Sequence, residues 1–367
     1  MIGDGFEVDE YLLDDPDAIA GRDPGDALLA VSSAPAQLRE ALFTAGEIDF
    51  SELAAEGRPR SIVVAGMGAA GRAGDLLAAV LGNTCPVPVL THRGYGLPGW
   101  VGPADLVVPV SYSGTTQETI SAADEAIRRG CRLFTVAAAG SLLAVRTEGR
   151  GPVAALTRSS RRSATSIWSL SMPLVVLAGK LGLTGGGDAA VGDTPEILEL
   201  MTERYKPSRD TFLNPAKTLA VSLAGRLPII WGVSAATGVA ADRFASQLAV
   251  IAQYPAICGT LPEAGHQESA GPDRREHGGL PVHFVLFRDT EEHPQVARRA
   301  DAARDVREEM GSTVIEIKAE GSTPLARIAS LAALGDFSAV YVAMLLGVDP
   351  SGPRMAGALP IRRSDLE

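Results

Sequence analysis

The sequence predicts an α/β protein built as two tandem, doubly wound parallel-sheet domains, each a three-layer αβα arrangement. Three observations predict it. Short apolar runs of strand length alternate with helix-length segments, the pattern of buried parallel strands joined by crossover helices. This alternation occurs twice, and Thr184-Gly185-Gly186-Gly187-Asp188 separates the two series like a linker. Glycine and alanine are abundant while aromatics make up only 5%, which suits close helix–sheet packing.

The elements follow in order. Residues 1–26 repeat Asp and Pro without apolar periodicity and are expected to form a flexible arm. Ala27 to Leu53 reads as helical. Ser61 to Ala65 is a strand, and Gly66-Met67-Gly68-Ala69-Ala70-Gly71 opens a helix reaching Leu81. Val87–Thr91 and Leu106–Val110 are the next strands, and the helix after the latter spans Thr116–Arg129. Arg132–Val136 and Pro152–Leu156 add two strands, and a buried helix over Ala164–Leu181 closes a first domain of residues 27–183. A linker covers 184–194. In the second domain, 195–367, helices at Pro195–Tyr205, Thr218–Leu223, Ala236–Ile251, His293–Met310 and Pro324–Leu346 accompany strands at Leu227–Gly232, Val282–Phe287 and Ser312–Ile317.

A chain of 367 residues exceeds one ordinary core, in keeping with two domains. The net charge of −11 argues against nucleic acid or an anionic membrane as partner. Cys85, Cys131 and Cys258 are scattered and odd in number, so neither a disulfide framework nor a zinc site is indicated. His92, His277, His283 and His293 show no metal-ligand spacing. The acidic N-terminus lacks a secretory pattern, and no stretch approaches the roughly 18 uninterrupted apolar residues of a membrane span. A soluble, cytoplasmic protein is expected.

The chemistry concentrates after the third strand. Val110 leads into Ser111-Tyr112-Ser113-Gly114-Thr115-Thr116, and a helix begins with Gln117 and Glu118. Hydroxyls and free backbone N–H groups at a helix N-terminus converge on an anion, and Gly114 lets the backbone approach it. A Ser/Thr-rich turn that merely caps a helix is the plainer alternative. Gly66 to Gly71 matches GxGxxG, which raises a dinucleotide site. A Rossmann site also places an acid about 20 residues further on, at the end of the next strand. Here that strand ends in Thr91-His92-Arg93, so an NAD-dependent oxidoreductase is not expected.

The Gly-Met-Gly turn, the hydroxyl loop and the basic cluster Arg158, Arg161, Arg162 before a buried helix together resemble a sugar isomerase (SIS) domain. The tandem arrangement resembles the bifunctional phosphoglucose/phosphomannose isomerase family in its longer bacterial form. Further anchors are Arg93-Gly94-Tyr95, Leu97-Pro98, Asn214-Pro215-Ala216-Lys217, Arg243 through Gln247, Pro255-Ala256, Leu261-Pro262-Glu263, His266, Glu268 and Gly347-Val348-Asp349-Pro350. The resemblance implies aldose–ketose isomerisation of a sugar phosphate through an enediolate, without metal or organic cofactor. It assigns substrate binding to Gly66, Met67, Gly68, Ser111, Ser113, Thr115 and Thr116, and catalysis to His266, Glu263, Glu268 and Arg162. It also implies a homodimer with its site at the subunit interface, the histidine coming from the partner.

Three positions depart from that family pattern. Counting from Arg243, the family's Asn-Glu pair falls on Ala249-Val250, so the general-base glutamate is Val250 here. The serine of the first glycine-rich turn is Ala70. The lysine expected near the C-terminus falls at about Leu359 or Pro360, with Arg362 and Arg363 close by. Two readings follow: an isomerase whose base is supplied by Glu263, Glu268 or His266, or a sugar-phosphate-binding sensor or regulator without turnover.

Overall fold

Strand β1 (Ile62–Ala65) reads Ile-Val-Val-Ala, and all four side chains are buried, as a central strand covered on both faces requires. The computed structural model describes residues 9–157, 165–184, 187–267 and 281–351. Elements are numbered in chain order. β1 pairs in parallel with β2 (Val89–His92) on one side and β3 (Leu106–Ser111) on the other. The sheet continues through β5 (Thr135–Ala138) to β6 (Val153–Leu156), giving the order β2-β1-β3-β5-β6, and β4 (Arg132–Leu133) extends the pairing of β3. The single strand expected over Arg132–Val136 is thus divided at Phe134, whose ring is buried edge-on against Phe50.

The second sheet has the order β10-β9-β7-β8, from β7 (Leu227–Gly232), β8 (Ile257–Thr260), β9 (Val282–Arg288) and β10 (Thr313–Lys318), all parallel. Strand β8 was not foreseen. Ile257 and Cys258 are exposed, and Gly259 interrupts an already short apolar run, so the edge strand carries little periodic signal.

A helical layer lies between the sheets. It includes α3 (Ala34–Gly46), α5 (Ala69–Leu81), α8 (Ile167–Lys180), α9 (Thr194–Tyr205), α11 (Ala235–Ile251) and α14 (Pro324–Leu345), which share one apolar core. The outer faces carry α6 (Gln117–Arg128) and α7 (Leu142–Thr147) on the first sheet and α13 (Pro294–Glu309) on the second. The helical stretch expected over Ala27–Leu53 is divided into α2 (Ala27–Ser32), α3 and α4 (Ser51–Ala55). Helix α14 is long and apolar enough to cross a membrane by length and composition, but nearly all of it is buried inside the protein.

Two family anchors turn out to be braces. Asn214 caps α10 (Pro215–Leu223) by accepting from Ala216 N and Lys217 N, and its Nδ2 donates to the carbonyls of Tyr205 and Lys206. The buried Lys217 ammonium donates to the carbonyls of Leu13, Pro207 and Arg209. Burial holds its pKa below the ordinary lysine range, with Asp14 opposing that shift. Within the described part of the expected arm, residues 9–26, the chain is held in place rather than loose. Leu13 is fully buried, Asp14 accepts from Thr211, and α1 (Pro16–Arg22) follows. The second brace joins α11 to α14. Arg243 Nη2 lies 2.6 Å from Asp336 Oδ2, and Gln247 donates to Oδ1 at 3.0 Å, all three side chains being buried.

Candidate active site

In a doubly wound parallel sheet, the chain leaves in opposite directions from the two strands beside the reversal in strand order. The crevice beyond their carboxyl ends is where ligands sit. In the first sheet those strands are β1 and β3. The Gly66-Met67-Gly68 turn follows β1, and Tyr112–Thr116 follows β3. The topology therefore brings both predicted substrate-binding segments to one crevice.

The crevice is tightly built. A Cβ on Gly66 would lie 3.0 Å from the Val110 carbonyl oxygen and 3.0 Å from the Ala70 carbonyl carbon, so only glycine lets the turn sit against β3. Gly68 precedes α5 with φ +53° and offers no side-chain cap, leaving the first turn of that helix open. On the other side, Ser111 Oγ lies 2.9 Å from Thr116 Oγ1 and accepts from Gly114 N at 3.0 Å. Ser113 Oγ accepts from the backbone and hydroxyl of Thr115 at 3.3 and 3.1 Å. Thr116 is the N-cap of α6, yet its side chain does not cap that helix. Ser113 and Thr115 are exposed while Ser111 and Gly114 are buried, so the loop is anchored from below and open above.

That arrangement answers the simple capping alternative. A loop whose hydroxyls served only to cap α6 would use Thr116 on the first-turn amides, and it does not. The first-turn amides of α6 and the positive end of its dipole therefore carry no side-chain cap. Sequence reasoning missed Ser141, which N-caps α7 directly behind Gly114. Its only signal was a Gly140-Ser141 pair after β5. Tyr112 lines a cavity of about 380 Å³ together with Glu40, Thr44, Thr157, Ser166 and Pro173, a size within the usual range for small-molecule sites.

Glu263 and His266 form a second group, on the other sheet. Both are exposed, at and within the short helix α12 (Ala264–Gln267) after β8. His266 Nε2 is 3.0 Å from Arg299 Nη1 of α13. Val250 is half-buried in the last turn of α11. Arg72, in the first turn of α5, pairs with Asp242 of α11 at 2.6 Å and ties the first crevice to the second half of the chain. Arg162, with Arg158 and Arg161, and Glu268 lie outside the described residues. Among the described residues, no cluster of three or more His, Cys, Asp or Glu side chains could hold a metal ion.

The family description "Bacterial phospho-glucose isomerase C-terminal SIS domain" matches residues 212–355. A bifunctional phosphoglucose/phosphomannose isomerase from Caldicellulosiruptor bescii is 32% identical over 305 residues, covering 83% of this chain and 87% of the relative. A protein of the same name from Aquifex aeolicus is 28% identical over 306 residues, covering 83% of this chain and 91% of the relative. Among solved structures, the C-terminal domain of glucosamine-fructose-6-phosphate aminotransferase from Francisella tularensis superimposes with a TM-score of 0.65 at 15% identity. It covers 89% of this chain and 98% of that one, and establishes likeness of fold alone.

Proposed function

The chain belongs to the bifunctional phosphoglucose/phosphomannose isomerase family, and from that premise we propose that it holds a hexose 6-phosphate at the Ser111–Thr116 loop and interconverts its aldose and ketose forms. The observation that carries this reading is the uncapped N-terminus of α6 beneath a hydroxyl loop, at the point where the strand order reverses. The phosphate would accept from the first-turn amides of α6 and from Ser113, Thr115 and Thr116. The Gly66–Gly68 turn would close the other side of the crevice.

Isomerisation then needs groups that open the ring and move a proton between C2 and C1. His266, Glu263 and Glu268 are the acid–base candidates, and Arg162 would offset the negative charge of the enediolate. His266 is exposed after β8, where it would reach a neighbouring protomer, so the working unit is a homodimer, placed in the cytoplasm. Val250 offers no proton acceptor. Loss of a placed general base removes about 10²–10⁴-fold of rate, so turnover on glucose 6-phosphate and mannose 6-phosphate is slow.

The apolar residue at 250 also favours a second reading, sugar-phosphate binding without turnover in a sensor or regulator. A coupled assay of fructose 6-phosphate conversion, with Val250→Glu and His266→Ala beside the parent, separates the two. Slow parental turnover abolished in His266→Ala supports the isomerase. An inert parent that gains activity in Val250→Glu supports the binding protein. Failure of all variants to bind or convert these sugars overturns both.

A further inference from the structure

The second sheet has its own reversal of strand order, between β7 and β9. Gly232 ends β7 as Gly66 follows β1, and in each half five residues connect the strand to the next outer helix, 112–116 in the first and 289–293 in the second. By topology this is a second ligand crevice. Its chemistry is the reverse of the first. Where the first loop carries hydroxyls, the second reads Asp289-Thr290-Glu291-Glu292-His293.

Asp289 turns into the crevice and is buried. Ser234, the N-cap of α11, donates to its Oδ2 at 2.5 Å. Arg327, itself buried in the first turn of α14, places Nε 2.8 Å from Oδ1. The amides of Thr290 and Glu291 donate to the same oxygen at 2.7 and 3.4 Å. The Ser234 hydroxyl at the start of α11, a guanidinium and the amides of the β9–α13 loop are the groups that would bind a phosphate or carboxylate ligand. The rest of the loop satisfies itself. His293 caps α13, Glu292 accepts from Asp289 N at 2.9 Å and pairs with Arg288, and Glu291 pairs with Arg327.

We propose that Asp289 is an internal anion, occupying a phosphate-type site in the second domain and leaving each protomer one crevice open to ligand. Removing the carboxylate would expose a latent site for a small anion of the phosphate or carboxylate class, held by Arg327, Ser234 and the loop amides. The proposal does not depend on isomerase activity, nor on what the first crevice binds.

The test uses inorganic phosphate as probe in a Gly114→Ala background, so that the first crevice contributes little. Asp289→Ser in that background should have a lower Tm than its parent in phosphate-free buffer at constant ionic strength. Saturating phosphate should raise its Tm by about 3–5 °C, with no comparable rise in the parent. A folded Asp289→Ser variant whose Tm ignores phosphate and formate overturns the proposal. If the variant folds poorly, refolding yield reports instead. Recovery in phosphate or formate but not in chloride supports the internal anion. Equal yields in all three salts, with Asp289→Asn folding normally, refute it.

Discussion

Gly114→Ala tests the phosphate loop at its tightest point. Gly114 has φ +67°, and a Cβ there would lie 1.9 Å from Ser141 Oγ and 2.2 Å from Ser141 Cβ. Ser141 would have to retreat by about 1.5 Å to reach ordinary contact, or the loop would have to rise by as much. Neither move is easy. Ser141 is buried and caps α7, and Leu143 N donates to the Gly114 carbonyl at 2.9 Å. The left-handed backbone costs an alanine about 1–2 kcal/mol, and disturbing the cap about 1 kcal/mol more. The loop should therefore lose roughly 2–3 kcal/mol of its bound geometry, a fall of about 30–150-fold in phosphate affinity. Calorimetric titration with inorganic phosphate and with fructose 6-phosphate reads this directly. Made in a Ser141→Gly parent, the same change separates the two causes: the nearest remaining Ser141 atom is Cα at 3.7 Å, so the clash is gone, the α7 cap is already absent from the parent, and Gly114→Ala should cost only the backbone strain of about 1–2 kcal/mol. Unchanged affinity in Gly114→Ala, or a loss in the Ser141→Gly background as large as in the wild-type one, would refute the claim that this backbone cradles the ligand.

Other consequences follow from buried charge. Asp336→Ala removes the buried carboxylate paired with Arg243 in the α11–α14 contact and should reduce stability by about 3–5 kcal/mol in urea unfolding, whereas replacing Arg243 and Asp336 together by apolar residues should recover most of it. His283 is buried on β9 with both ring nitrogens unpartnered, and burial, aided by Arg226, holds its pKa at about 4. The unfolded chain takes up this proton near pH 6.5 and the folded chain only near pH 4, so the stability His283 retains at neutral pH falls with pH between those values. The loss should approach about 3 kcal/mol at most, and His283→Leu should flatten the urea-midpoint profile across pH 4–6.5.

Much of the fold was legible because its strands are buried on both faces. β1, β3 and β7 are unbroken apolar runs, and such runs announce themselves. β8 was illegible for the opposite reason. It lies at an edge, half in solvent, with a glycine in it. The arm was misread because its order comes from elsewhere in the chain. Nothing local in residues 9–14 shows that the Lys217 ammonium, some 200 residues later, will hold the Leu13 carbonyl. The hydroxyl loop was legible as a candidate anion site because its chemistry is local to one segment. The closure of the second crevice was not, since Ser234, Asp289 and Arg327 are far apart in sequence and meet only through the strand order.

The anchors that make the family resemblance conspicuous divide into two kinds, and the division bears on function. Asn214 and Lys217 brace the arm, and Arg243 and Gln247 clamp Asp336. These are buried polar groups, and each substitution among them would leave a partner unsatisfied, so the fold enforces them whether or not the protein turns over substrate. Position 250 is not one of these buried polar braces: Val250 sits half-exposed on the last turn of α11. Likeness to the isomerases across most of the chain therefore establishes the family and the scaffold more firmly than it establishes rate. The proposed chemistry rests on a few exposed side chains, Glu263 and His266 among them, that stability alone would not preserve.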